Sequence, residues 1–162
     1  MIGFEPVINP NLPSDKVLHI VVNGEYPQFI KELEPQMVGI GPFIPHKDTP
    51  FREETGGSLT TTLVMLALIR LLLPDVLLPA TTALGTIHPH GRELGIEAGA
   101  NVCMPNLSPE NVRAKYSLYN NKLHSGAESA AEISELARRM NDICCSIFLG
   151  RGDHPSMNLR KE

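Results

Sequence analysis

Apolar runs punctuated by proline and glycine divide the chain into alternating extended and helical pieces. Val17-Leu18-His19-Ile20-Val21-Val22 is a β-branched run halted by Asn23-Gly24, the pattern of a strand. Pro27 suits a first helical turn, Phe29, Ile30 and Leu33 make its apolar stripe, and Pro35 ends it. Met37-Val38-Gly39-Ile40 predicts a short buried strand. The following Gly41-Pro42-Phe43-Ile44-Pro45-His46 is too rich in proline to stay in a sheet and predicts a loop. Ser58 is placed to cap a helix running to about Leu73. That helix is apolar almost all round, so it needs cover on more than one side. Val76-Leu77-Leu78 predicts a second strand that leads into Pro79-Ala80-Thr81-Thr82. A short helix is expected from Gly91 to Ala98, with Gly99 at the C′ position, where a left-handed backbone costs least. Val102-Cys103-Met104 predicts a third strand, closed by Pro105-Asn106.

The last third changes character. Ser108-Pro109-Glu110 pairs an N-cap with proline at the first helical position, opening a helix to about Tyr116. Ser125 and Glu128 have the spacing of a capping box ahead of a longer helix. Its apolar face is Ile133, Leu136, Ala137 and Met140, and Glu135 and Arg139 are expected to pair on the wet face. Ile147-Phe148-Leu149 reads as a last short strand. Buried, non-alternating strands separated by helices argue for a parallel sheet of βα units. Three or four such units are present, whereas a complete eight-fold barrel takes about 250 residues. The pattern therefore predicts a small doubly wound sheet or a piece of a barrel.

Composition narrows the class. The chain has 162 residues, 42% hydrophobic and 20% charged, which fits one globular domain rather than a disordered segment. Lys+Arg 14 against Asp+Glu 18 gives a net charge of -4, with no electrostatic footprint for nucleic acid or an anionic membrane. Three cysteines, two of them adjacent, make no disulfide framework, and the N-terminus lacks the pattern of a signal peptide. The expected location is the reducing cytoplasm. Leu63 to Ile69 is unbroken apolar sequence, but Arg70 and Pro74 interrupt it well short of the roughly 20 residues of a membrane span.

Ligands of parallel α/β architectures sit at the C-terminal ends of the strands. Here those ends are Gly41 to His46, Thr81-Thr82-Ala83-Leu84-Gly85-Thr86 and Met104-Pro105-Asn106. Gly39 and Gly41 permit a flat ligand to approach the backbone, and Thr81, Thr82 and Asn106 offer hydrogen bonds to orient it. Taken alone, the same residues read equally well as ordinary βα loops. His46, His88 and His90 lie at two neighbouring strand ends, but no carboxylate cluster joins them, so they read as exposed loop histidines rather than metal ligands. Asp48-Thr49 reads as a side-chain turn, and Arg92 and Glu93 as surface charges at the start of a helix.

Four motifs in chain order carry a family resemblance. Met37-Val38-Gly39-Ile40-Gly41-Pro42-Phe43-Ile44-Pro45-His46, with Asp48-Thr49-Pro50, resembles the sixth-strand segment of the HydE family of radical S-adenosylmethionine maturases. Pro79-Ala80-Thr81-Thr82-Ala83-Leu84-Gly85-Thr86-Ile87 resembles that family's seventh strand. Gly99-Ala100-Asn101-Val102 with Met104-Pro105-Asn106 resembles its eighth, and Tyr116-Ser117-Leu118-Tyr119 and Arg151-Gly152-Asp153 resemble its C-terminal part. The stretch runs from about Phe29 to Asp153. Biotin synthase is a poorer match, since its seventh strand carries a cluster-ligating arginine where this chain has Thr81-Thr82-Ala83-Leu84-Gly85.

The resemblance implies an α/β fold. Residues 26–107 would form the C-terminal half of a (β/α) TIM-type barrel, about strands six to eight. Residues 108–162 would be the helical extension of the biotin and thiamin synthesis-associated (BATS) module, and residues 1–25 an irregular arm unlike the family. It further implies a 5′-deoxyadenosyl radical, generated by reductive cleavage of S-adenosylmethionine at a [4Fe-4S] cluster. That radical would act on a sulfur-containing, cysteine-bound organometallic iron precursor during assembly of the hydrogenase di-iron subcluster. Gly41, Pro42, Phe43 and Ile44 would pack against the cofactor, and Met37, Thr81, Thr82 and Tyr119 would line the substrate cavity.

The family's Cys-x3-Cys-x2-Cys motif does not occur in this sequence, and Cys103, Cys144 and Cys145 do not have its spacing. Lys122-Leu123-His124 stands where some members hold an accessory cluster, so no metal ligand is expected. The expectation is a chain active only with an N-terminal half of the same enzyme as partner, or a homo-oligomer. The alternatives are a non-catalytic small-molecule-binding remnant, or a fragment of a biotin synthase-like or related radical S-adenosylmethionine sulfur enzyme.

Overall fold

In the computed structural model, the described residues are 26–105, 110–113, 115, 118–122, 133–150 and 152–155. The expected strand over 17–22, the arm of residues 1–25, Asn106, the Ser108-Pro109 cap, Tyr116, the Ser125/Glu128 capping box and Arg151 lie outside them. The helices are α1 (Tyr26–Leu33), α2 (Leu59–Leu72), α3 (Thr82–Ile87), α4 (Gly91–Glu97), α5 (Glu110–Arg113) and α6 (Ile133–Asp142).

Three extended segments run between them. Met37 bridges Leu77 and Pro79 bridges Val102, both in parallel sense. Val38 N donates to Leu77 O at 3.0 Å, Leu77 N to Gln36 O at 3.0 Å and Ala80 N to Val102 O at 2.9 Å. The bridges are isolated, and Asn101 is one physical reason. Its Oδ1 accepts from Leu78 N at 2.8 Å, so a side chain stands where a backbone carbonyl would continue the ladder.

Alternation of side chains along an extended backbone separates two faces. Val38, Ile40, Val76, Leu78 and Ala80 point to the helices and form one core with Leu66 and Ile69 of α2 and Leu84 of α3. Met37, Gly39 and Gly41, with Leu77, Pro79 and Thr81, share the opposite face. Met37 on that face is 45% exposed, whereas Leu66, Ile69 and Leu78 are completely buried.

Short-range chemistry fixes the helix ends. Ser58 caps α2, its Oγ accepting from Thr61 N. At the far end of α2, Arg70 Nε donates to Gly99 O at 2.8 Å and Nη1 to Pro74 O at 2.6 Å. Gly99 has φ +112, a conformation that glycine adopts without steric cost. The α6 helix closes with Cys144 N donating to Asn141 O and Cys145 N to Met140 O, both at 2.9 Å. This is a Schellman arrangement, with Cys144 in the left-handed position at φ +58.

Four sequence expectations are corrected. Residues 82–87 form α3 rather than a loop: Thr86 Oγ1 bonds back to Thr82 O at 3.0 Å, and Leu84 is fully buried. Ile147-Phe148-Leu149 makes no bridge among the described residues, and Phe148 is 90% exposed, so no neighbouring edge claims it. Glu135 pairs with Arg138 instead of Arg139, at 2.8 Å. The helix expected to reach Tyr116 is described as the single turn of α5.

Leu66→Ala should remove contacts from a fully buried position and destabilise the fold by about 2–5 kcal/mol. A fall in the urea midpoint with an unchanged slope is the expected reading.

Candidate functional site

The ends of the first two extended segments meet. A Cβ added at Gly41 would lie 2.7 Å from Thr81 Oγ1, so only glycine admits this approach without displacement. The Thr81 hydroxyl is itself buried and makes no hydrogen bond among the described residues. An unused buried hydroxyl normally calls for a ligand or an ordered water. At Gly39, two residues earlier on the same face, an added Cβ would meet nothing within 4 Å. Bare backbone there offers a floor on which a flat group could lie.

The Pro42-Phe43-Ile44 loop is held from behind. Gly57 N donates to Phe43 O at 2.8 Å, and a Cβ at Gly57 would strike Phe43 N at 2.8 Å. Pro42 is buried, while Phe43 and Ile44 are half-buried. A second strap reaches the loop from the C-terminal side. Asn120 N donates to Pro45 O at 3.1 Å, and Asn120 Oδ1 accepts from Lys47 N at 3.1 Å. These bonds bring Tyr119 beside the first loop, with the Lys122 ammonium 5.9 Å from its ring centroid.

Gly41 and Thr81 are thus drawn to one end of the extended segments, while the bonds of Asn120 tie the segment that carries Tyr119 to the loop at Pro45 and Lys47. Met37 shares the face but lies level with Leu77, four residues before the Gly41 approach. Thr82 opens α3, and its Oγ1 receives Arg92 Nη2 at 3.4 Å.

Arg92 and Glu93 correct the surface reading, being 1% and 6% exposed. Burying a charge requires partners. Glu93 finds its partner on α6, where Arg139 Nη2 donates to Oε2 at 2.7 Å and Arg139 Nε to Oε1. Arg139 Nη2 also reaches Pro89 O at 2.6 Å. Burial works against ionisation of Glu93, but the Arg139 hydrogen bonds and charge outweigh it and hold the carboxyl below its ordinary value. No local pattern announces this fork, because its partners stand 46 residues apart.

His90 is exposed as expected, whereas His46 and His88 are half-buried. His46 is half-buried and caps a turn, its Nδ1 accepting from Asp48 N at 3.1 Å, and Thr49 Oγ1 donates to His46 O at 2.9 Å. The turn is therefore capped by His46 and Thr49 rather than by the Asp48 carboxylate. His88 Nδ1 accepts from His90 N at 3.1 Å.

No group of three or more His, Cys, Asp or Glu side chains among the described residues is arranged to hold a metal ion. Cys103 and Cys145 pack against Leu136 and Met140, and Cys144 is exposed. These thiols do not fit a [4Fe-4S] cluster. Among the described residues, no helix is long and apolar enough to cross a membrane.

A 95-residue stretch is 57% identical to a protein of Thermotoga maritima described as [FeFe] hydrogenase maturase subunit HydE. Over that stretch the chain is a relative of HydE. The match takes in 59% of this chain and 27% of the length of the HydE protein. No family model matches the chain.

Arg139→Ala should leave Glu93 without its fork and cost about 2–3 kcal/mol at neutral pH. Because the folded-state pKa of Glu93 is lowered, the contribution is fully present above the ordinary glutamate value of 4.5. It is lost as the pH falls through the depressed folded value. Denaturant titrations of the parent and Arg139→Ala should converge as the pH drops through that window. A gap that stays constant below it would remove Glu93 as the cause.

Proposed function

We propose that this chain furnishes the substrate-cavity side of a HydE-type radical S-adenosylmethionine enzyme acting in assembly of the FeFe-hydrogenase di-iron subcluster. The observation that carries the reading is the close approach of Gly41 to Thr81, with an unused hydroxyl, on a face of the extended segments that includes the exposed Met37. The three parallel segments are read as strands six to eight of a partial (β/α) barrel, with residues 108–162 as the helical BATS extension. Cytoplasmic location goes with this reading.

S-adenosylmethionine, when bound, supplies the adenosyl group for radical chemistry. Gly39 leaves the backbone bare for a planar base, Gly41 brings the loop against Thr81, and Phe43 and Ile44 provide apolar flanks. The Thr81 and Thr82 hydroxyls orient a polar substrate by hydrogen bonding, and the Tyr119 ring closes the side with a polar tip. Thr82 is positioned from behind by Arg92. Cys103, Cys144 and Cys145 do not suit an iron–sulfur cluster. The partner implied is a polypeptide segment that carries Cys-x3-Cys-x2-Cys. The same mismatch favours a second reading, a small-molecule-binding module without catalysis.

The test places Thr82→Ala and Tyr119→Ala at the matching positions of the full-length Thermotoga maritima HydE. Product formation should fall at least tenfold, equal to about 1.4 kcal/mol of lost transition-state stabilisation. Unchanged turnover in both variants sinks the site assignment. Anaerobic reconstitution of the present chain with iron and sulfide should leave no stoichiometric cluster. A cluster formed on Cys144 and Cys145 would overturn the ligand argument.

A further inference from the structure

Arg92 is the largest fully buried side chain among the described residues. It stands second in α4, after Gly91, also buried, and before Glu93, whose carboxylate is held by Arg139 of α6. With α4 fixed through that neighbour, the guanidinium reaches back to the first residue of α3. There its Nη2 donates to Thr82 Oγ1 at 3.4 Å. Taking a guanidinium out of water is costly, and an apolar side chain of similar volume fills such a space more cheaply. The charge therefore needs a reason in what it touches.

We propose that Arg92 is a positioning residue, which sets the polarity of the Thr82 hydroxyl and so the class of substrate atom accepted there. The inference rests on the cavity reading above and adds the chemistry of one contact to it. A threonine hydroxyl turns between donating and accepting, whereas a guanidinium carries donors alone. While Thr82 Oγ1 accepts from Arg92, its own hydrogen has to go to an acceptor, and the charge behind it strengthens that donation. The substrate atom suited to this place is an oxygen or nitrogen with a lone pair, and an N–H or O–H group is disfavoured. Thr81 provides the contrast. Its hydroxyl has no hydrogen-bond partner among the described residues, so nothing there fixes which role it plays. Lysine is a poor substitute at position 92, since an ammonium is a point charge without the planar fork.

A double-mutant cycle tests this at the positions of full-length Thermotoga maritima HydE that match Arg92 and Thr82. Arg92→Lys should lower product formation about tenfold where the threonine stands, and less than about twofold where Thr82→Val has already removed the hydroxyl. The present chain gives a second readout by heteronuclear NMR. Its buried guanidinium should show a slowly exchanging signal, lost in Arg92→Lys and displaced in Thr82→Val. A loss on Thr82→Val, joined to an equal Arg92→Lys loss in both backgrounds, overturns this inference and leaves the cavity reading standing. Full turnover in Thr82→Val removes the cavity reading, and this inference with it. A guanidinium signal indifferent to Thr82→Val overturns the proposal. Loss of the fold in both Arg92→Lys and Arg92→Gln assigns the arginine to the core alone, and equally overturns it.

Discussion

Extended segments joined by isolated parallel bridges depend on what is packed over them. Here that is one side of α2, where Leu66 and Ile69 sit fully buried beside Leu78, Ala80 and Leu84. Backbone pairing between the extended segments is sparse, with Asn101 substituting its amide oxygen at one position. Their relative height is therefore set by close packing as much as by hydrogen bonds. The approach of Gly41 to Thr81 follows from that height: a slip of one residue would exchange the two faces and send both residues toward the helices.

Much of this was legible in the sequence where the signal is local. Ser58, Gly99 and the prolines around α1 announce helix ends through rules that act over a few residues. The β-branched and aliphatic runs at 37–40 and 76–78 announce extended buried chain. The candidate residues Gly41 and Thr81 were visible as small and hydroxyl residues at strand ends. What was not legible depended on distant partners. The burial of Glu93 is explained by Arg139, and the bonds of Asn120 to the first loop by Pro45 and Lys47. The α3 helix was missed because threonine and glycine depress its helical propensity, while burial of Leu84 decides in its favour.

The motifs behind the HydE resemblance and the close approach in the structure fall on the same residues. The HydE resemblance was carried by the loop after Ile40 and by the Thr81-Thr82 pair, and the structure brings the first of these against the second. The thiols lie elsewhere, two of them on the small cluster around Leu136 and Met140. Shape for an organic ligand and sulfur for a metal are therefore segregated in this molecule.

The tight seating of Gly91 has a mechanical consequence. A Cβ there would fall 2.0 Å from Leu84 O, so α3 and α4 are pressed together with no side chain to cushion them. The fork from Arg139 fastens α6 to the same pair of helices through Glu93. A tilt of the C-terminal helix that preserves this fork has to drag α4 along, and with it the short helix that begins at Thr82. The three helices make a stiff wedge, and a push on its outer edge is felt at the threonine tip.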